Sequence, residues 1–204
     1  FYEFMPLAEI DNENPKTLPL WDVEAGVNYA MAISTNAGLW RYLIGDTVMF
    51  TSTDPFRIKI TGRTRSFINA FGEELIIDNA EKALATACEK TGALITEYTA
   101  APIFLKDNDK AAHEWVIEFE TPPENLEYFG EMLDNALKSL NSDYEAKRYH
   151  NLMLLLPVIK PVPRGTFYEW FRERGKLGGQ HKVPRLSNDR KYVEGILALH
   201  AKNM

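Results

Sequence analysis

The stretch AGLWRYLIGDTVMF, residues 37–50, decides how the first part of the chain is read. It has the pattern of one long β-strand, with an Arg41-Tyr42 pair leading in and Gly45-Asp46 at its middle. A glycine inside a strand permits a bulge, and a carboxylate beside it either faces water or is offered to a ligand where the backbone bends. The two oxygens of a carboxylate match the two hydroxyls of a vicinal diol. Each such charge-assisted hydrogen bond is worth ~1.5–3 kcal/mol. Asp46 is therefore the first candidate ligand-binding residue.

Working outward, VNYAMAIST (27–35) alternates apolar and polar residues, and NAG (36–38) turns it into the 37–50 segment as a hairpin. FYEFMPLAEI (1–10) reads as a further strand, and DNENPKTLPLWDVEAG (11–26) as a Pro- and Asx-rich loop. DPFRIKITGRTRSFINAFGEEL (54–75) reads as two short strands around Gly62-Arg63.

After Phe71 the pattern changes. IDNAEKALATACEKTG (77–92) reads as a helix capped by Asp78 and Glu81, with Gly92 just past its end. ITEYTAAPIFL (95–105) and HEWVIEFE (113–120) alternate around a polar turn and predict an antiparallel hairpin. TPPENLEYFGEMLDNALKSLN (121–141) predicts a helix capped by Thr121 with Glu124, and with Phe129, Leu133 and Leu137 on one face. SDYEAKRYH (142–150) reads as a short helix and NLMLLLPVIK (151–160) as a buried strand. GTFYEWFRERG (165–175) and NDRKYVEGILALHAKNM (188–204) read as helices. The fold class expected is α+β: a β-rich block over 1–61, then a two-layer β-α-β-β-α-β domain over 62–204.

The bulk composition narrows function. Of 204 residues, 45% are hydrophobic and 25% charged, as in an ordinary soluble globular domain. The net charge of −6 argues against a nucleic-acid partner. No apolar run approaches the ~20 residues of a membrane span, so no membrane partner is expected. Cys88 is the single cysteine, which excludes an internal disulfide and points to a reducing, cytoplasmic compartment. No pair among His113, His150, His181 and His200 has metal-ligand spacing. The chain opens at Phe1 inside a strand-like pattern, so it is expected to be the C-terminal piece of a longer protein.

Two more candidates carry charge. Arg63, in TGRTRSF, stands where the two regions join and reads either as a solvated basic turn or as a guanidinium reaching a nucleotide. Lys182 and Arg185 lie in GGQHKVPRLS (178–187), either a surface loop or a loop that carries Lys182 to a phosphate. The β-α-β-β-α-β order is also shared by RNA binders and small-ligand modules. A non-catalytic binding module and a structural interaction domain docking through FYEFMPL are thus alternatives that the residues leave open.

Three stretches occur in a known order. AGLWRYLIGDTV (37–48) resembles the "GLYRYRVGD" segment of the auxin-conjugating acyl acid amido synthetases, the auxin-responsive promoter family. GRTRSFINAFGEEL (62–75) resembles that family's domain-junction motif. GTFYEWFRERGKLGGQHKVPRL (165–186) is similar to its closing segment, and FYEFMPL to its "YFEFIP" strand. The family belongs to the adenylate-forming superfamily.

The resemblance implies an ATP-dependent ligase. It would join a carboxylic acid to ATP as an acyl-adenylate and pass the acyl group to an amine, usually an amino acid's. By motif, Asp46 would hold the ribose diol, Arg63 would support the nucleotide and Tyr42 would help wall its site. Lys182, on a closing C-terminal lid, would meet the α-phosphate and acyl oxygen. The phosphate loop, the Mg2+-binding Glu and the acyl pocket would lie upstream of Phe1, in the missing N-terminal part of the same protein, so these 204 residues alone are expected to be inactive. Leu43, Arg65 and His181 depart from the family pattern, where Arg, Asp or Lys, and Tyr are usual.

Overall fold

A computed structural model describes residues 1–204 apart from positions 11, 65–66, 106–109, 152, 176–182 and 203–204. The chain divides into two compact units, residues 1–67 with 76–78, and residues 68–75 with 79–204.

The first unit is an antiparallel sheet in the order β1-β2-β3-β4: β1 (Tyr2–Pro6), β2 (Asn28–Ile33), β3 (Tyr42–Thr53) and β4 (Phe56–Arg63). The β2–β3 hairpin forms as its sequence pattern requires. One face buries Phe4, Tyr29, Val48 and Phe50 with Leu18 and Met31 packed against them. Three of these rings meet edge to face, Phe4–Phe50 at 5.0 Å and Phe4–Tyr29 at 6.2 Å between centroids. Such pairs add ~0.5–1.5 kcal/mol beyond the area they bury. The Tyr29 hydroxyl accepts the Glu24 N–H at 3.0 Å, so its polar tip is satisfied inside this core.

Two expectations need correcting here. β1 stops at Pro6 and the chain enters one 3-10 turn, Leu7–Glu9, because proline brings no N–H to continue a ladder. Gly62 and Arg63 do not separate two strands; they end β4, opposite Thr47 and Asp46 of β3.

The next segments are short. β5 (Phe67–Ile68) and β6 (Leu75–Ile76) pair as a two-residue ribbon and do not join the main sheet of the second unit. α1 (Ile77–Thr91) follows at once. It starts one residue before the expected cap, so Asp78 lies in its first turn, where the helix dipole favours a carboxylate, 3.3 Å from the Lys59 Nζ. Gly92 ends the helix as expected, left-handed at φ 71° and donating its N–H to the Cys88 carbonyl.

In the second unit β7 (Leu94–Phe104) runs antiparallel to β8 (Ala111–Thr121), and β9 (Val158–Val162) returns parallel to β8. The parallel return requires a crossover, supplied by α2 (Leu126–Leu140) and α3 (Ser142–Arg148). Every residue of β8 from Ala111 to Phe119 is buried. That overturns the expected two layers. Val116 packs with Phe167 and Trp170 of α4 (Thr166–Glu173) and with Val193 and Ile196 of α5 (Lys191–Lys202). On the opposite side of β8, Phe119 meets Phe129 of α2 edge to face at 5.4 Å, and Trp115 stacks on Tyr98 at 5.9 Å. Helices cover both faces because β8 is a near-continuous apolar run, the pattern of a strand with no solvated side.

The two carboxylates that interrupt this run are each answered. Glu118 accepts the N–H groups of Gly165 at 2.8 Å and Phe167 at 3.2 Å, satisfying donors that the first turn of α4 leaves open. Glu114 takes the Arg190 guanidinium at 2.5 Å. α4 and α5 cross closely: a Cβ on Gly195 would stand 2.8 Å from the Trp170 Nε1, so glycine is required there.

α2 begins at Leu126, with the Asn125 side chain accepting the Tyr128 N–H at 3.0 Å, rather than at the expected Thr121 cap. Thr121 is still paired with Leu94 at the end of β8, and the residue before each of Pro122 and Pro123 is pushed to extended backbone. The apolar run at 151–160 becomes a ladder only from Val158. Before it, Leu154 makes one bridge to Ala111 and lends its carbonyl to Arg148 at 2.8 Å. β9 is an edge strand and is half exposed.

Candidate functional site

The bend in β3 is real and has a definite cause. From Leu43 to Thr47, β3 advances four residues while β2 advances two, from Ala32 to Ala30. Gly45 absorbs the excess at φ 84°, a left-handed conformation that side chains rarely adopt. Its carbonyl accepts the Thr64 N–H at 2.9 Å, which ties the bend to the end of β4.

Directly across the ladder, Asp46 faces Arg63. Oδ1 of Asp46 lies 3.4 Å from Nε of Arg63, with side-chain exposures of 34% and 74%. A solvated cross-strand ion pair contributes only ~0–1 kcal/mol. The two groups are thus held side by side at little energetic cost to separate, and both face solvent. A carboxylate acceptor beside a guanidinium donor matches a polyol that also carries phosphate. Tyr42 begins β3 on the other side of the bend, opposite Ile33, exposed over half its surface and with its hydroxyl unpaired among the described residues. The structure therefore joins Asp46 with Arg63 and leaves Tyr42 apart from that pair. Lys182 lies outside the described residues.

Sequence reasoning missed Arg41. Its backbone is left-handed at φ 46° and its N–H is held by the Ser34 Oγ at 3.0 Å. Its guanidinium reaches Glu3 at 3.0 Å and Thr17 at 3.2 Å. This side chain buttresses the entry to β3. Arg185, flagged with Lys182, turns inward on the protein: it meets Glu97 at 2.5 Å and lies over the Tyr98 ring, 4.7 Å from its centroid.

Two buried polar groups in the second unit also escaped the sequence. Glu73 and His113 pair at 2.8 Å with both side chains fully inaccessible. Glu73 also accepts the N–H groups of Ala70 and Phe71. Burial pushes the Glu73 carboxyl up, but the His113 hydrogen bond and charge and the two backbone donors outweigh it and hold the carboxyl below its ordinary 4.5. A carboxyl lowered on folding stabilises the fold above its unfolded pKa and loses that contribution as pH falls. Stability is therefore expected to decline as pH drops below about 4.5, with a slope that Glu73→Gln reduces, read by urea unfolding between pH 7 and pH 3. The second group joins Asp134 of α2 to Tyr144 and Arg148 of α3. A carboxylate set between Leu133 and Leu137 on the buried face of α2 was its only visible signal.

Two family models match the chain: one described as the GH3 family C-terminal domain over residues 78–191, the other as the GH3 family central domain over residues 1–63. The chain is 30% identical over 216 residues to the indole-3-acetic acid-amido synthetase GH3.10 of Arabidopsis thaliana, covering 93% of this chain and 35% of that protein. It is 28% identical over 198 residues to GH3.3 of the same plant, an enzyme of the same name, covering 91% and 33%. The chain spans about a third of the length of the curated relatives it matches. Among solved structures, the GH3.15 acyl acid amido synthetase superposes with a TM-score of 0.67 at 19% identity, over 97% of this chain and 36% of that one. At that identity the likeness is one of fold.

Proposed function

The chain belongs to the GH3 family, and on that premise we propose that it is the C-terminal part of an ATP-dependent acyl acid amido synthetase. The reaction has two displacements. A carboxylate oxygen attacks the α-phosphorus of ATP and the bond to pyrophosphate breaks, leaving an acyl-adenylate. An amine nitrogen then attacks the acyl carbon, gives up a proton, and AMP departs. The acceptor amine is an amino acid's in this reading, the acid and the amino acid are its small-molecule partners, and the compartment is the cytoplasm.

The single observation that carries the proposal is the Asp46–Arg63 pair set across the Gly45 bend. Asp46 accepts hydrogen bonds from the two ribose hydroxyls and Arg63 turns its donors to the nucleotide. Tyr42 offers a ring face beside the base. Lys182 brings a compact positive charge to the α-phosphate and the acyl oxygen as negative charge develops there. Among the described residues no group of three or more His, Cys, Asp or Glu side chains is arranged to hold a metal ion. The Mg2+ that would accompany ATP is proposed, on the family likeness, to be held by residues upstream of this chain. No helix among the described residues is long and apolar enough to cross a membrane.

The test is nucleotide binding by the full-length protein. Asp46→Asn is expected to weaken binding of a non-hydrolysable ATP analogue by about 10- to 150-fold, the equivalent of ~1.5–3 kcal/mol. Thermal unfolding should be unchanged, since the Arg63 pair contributes so little to stability. Calorimetric titration returning wild-type affinity for Asp46→Asn removes the ribose assignment.

A further inference from the structure

We infer that Thr47 and Thr61, through a bond between their buried hydroxyls, position Asp46 for a ribose, an inference that rests on the ribose contact proposed for that carboxylate. Two irregularities of the first sheet meet at Thr47. On the β2 side it is the first residue back in register after the Gly45 bend, opposite Ala30. On the β4 side it is the last residue before a second shift. From Thr47 to Val48, β3 advances one residue while β4 advances two, from Gly62 to Ile60. Thr61 is the extra residue of that bulge.

The ladder by itself holds such a place loosely. Each bulge takes a residue out of regular pairing, and a slip of one residue turns every following side chain to the other face. Side chains supply the missing tie. The Thr61 hydroxyl donates to the Thr47 hydroxyl at 3.1 Å, and both residues are buried. A buried hydroxyl left unpaired is costly, so each favours the one register in which it meets the other. Thr64 closes the same corner, giving the Gly45 carbonyl its N–H at 2.9 Å and its hydroxyl at 3.4 Å.

Asp46 stands immediately before Thr47, and Arg63 two residues after Thr61. Successive residues of a strand point to opposite faces, so locking the Thr47 side chain on one face leaves Asp46 on the other. The Asp46–Arg63 ion pair cannot set this orientation, because it is solvated and weak. Orientation matters because a carboxylate must meet two hydroxyls of one diol at once, and hydrogen bonds weaken steeply when misaligned. Neither threonine touches the nucleotide in this scheme. Both are positioning residues that act through Asp46.

The experiment uses the full-length protein and compares, by calorimetric titration, a non-hydrolysable ATP analogue with its 2′,3′-dideoxy counterpart. The ratio of the two affinities reads the ribose contact, and a merely structural role would not move it. The wild type is expected to prefer the diol form by about 10- to 150-fold, and Asp46→Asn to lose most of that preference. Thr47→Val combined with Thr61→Val is expected to cut the preference by about 5- to 10-fold, since small misplacements of a binding group are costly. Its urea midpoint stays near wild type, because both partners are replaced by groups of the same shape. Either single valine variant unfolds earlier, with one hydroxyl buried and unpaired. Thr47→Ser combined with Thr61→Ser keeps both hydroxyls and keeps the preference. In an Asp46→Asn background the valine pair takes nothing more from the preference, because the group being positioned has already been changed.

A wild-type preference in the valine pair, with Asp46→Asn impaired, overturns the positioning role alone. The same fractional loss with and without Asp46 also overturns it, since the effect then does not run through the carboxylate. So does a valine pair less stable than either single variant, because the two hydroxyls then answer other partners. Equal binding of the two nucleotides by the wild type removes the ribose contact proposed for Asp46, and the positioning role falls with it.

Discussion

Replacing Asp134 with alanine is expected to destabilise the second unit by about 3–5 kcal/mol, the cost of leaving a buried charge without its partner. Asp134 accepts two bonds from the Arg148 guanidinium, at 2.6 and 3.0 Å, and one from the Tyr144 hydroxyl at 2.8 Å. The Lys138 ammonium lies 3.0 Å from its second oxygen. Burial pushes the Asp134 carboxyl up, and the hydrogen bonds from Arg148, Lys138 and Tyr144 outweigh it and hold it below its ordinary 3.8. Truncation leaves Arg148, only 8% exposed, with a charge that water cannot reach. It also orphans the Tyr144 hydroxyl, on a residue buried more deeply still. Arg148 further holds the Leu154 carbonyl and the Asn151 side chain, so the path from α3 toward β9 loosens with it. Urea unfolding with linear extrapolation measures the effect. A loss below about 1 kcal/mol would mean that the network is solvated and that its burial has been misjudged.

Lys182→Ala in the full-length enzyme is expected to slow acyl-adenylate formation by about 10²–10³, the usual cost of removing one preorganised donor from a developing oxyanion. In the role proposed for it the lysine engages charge that grows in the transition state and is largely absent from bound ATP, so the effect should fall on kcat. Lys182→Arg should restore little, since a planar guanidinium does not substitute for a compact ammonium at a fixed point. Single-turnover measurement of acyl-AMP separates this outcome from a binding defect. It also separates it from Asp46→Asn, whose effect should appear in nucleotide affinity. A rate within tenfold of wild type would take the lysine out of the chemistry.

Much of the local architecture could be read from the residues. The two hairpins, β2–β3 and β7–β8, follow from alternation around a turn, a signal complete within twenty or so residues. Gly45-Asp46 marked the bend in β3, and Gly92 marked the end of α1. The start of α2 was misplaced because Thr121 and Asn125 are both good caps. The choice between them was made by Leu94, which draws Thr121 into the ladder. The second helical layer was not legible either. The apolar runs of α4 and α5 show that each must bury a face, and nothing local says which side of the sheet receives it.

The candidate site divides in the same way. That Asp46 would sit at a bend was written in its neighbours. That Arg63 would be its cross-strand partner depended on the β3–β4 register, which a bulge on each strand adjusts. Glu73 and His113 are 40 residues apart, and the Thr99 hydroxyl lies 85 residues from the Pro184 carbonyl to which it donates. The chain alone determined the α+β class, the order of its elements, its family and the bend that presents Asp46, because those rest on periodicity, turn chemistry and contiguous motifs. Only the tertiary structure decided which carboxylates are buried with a cation, which face of β8 each helix covers, and how the Thr47 and Thr61 hydroxyls meet beside Asp46. Removing a polar group from water forces it to find a partner wherever the fold brings one, and that partner's distance along the chain is not encoded in any local pattern.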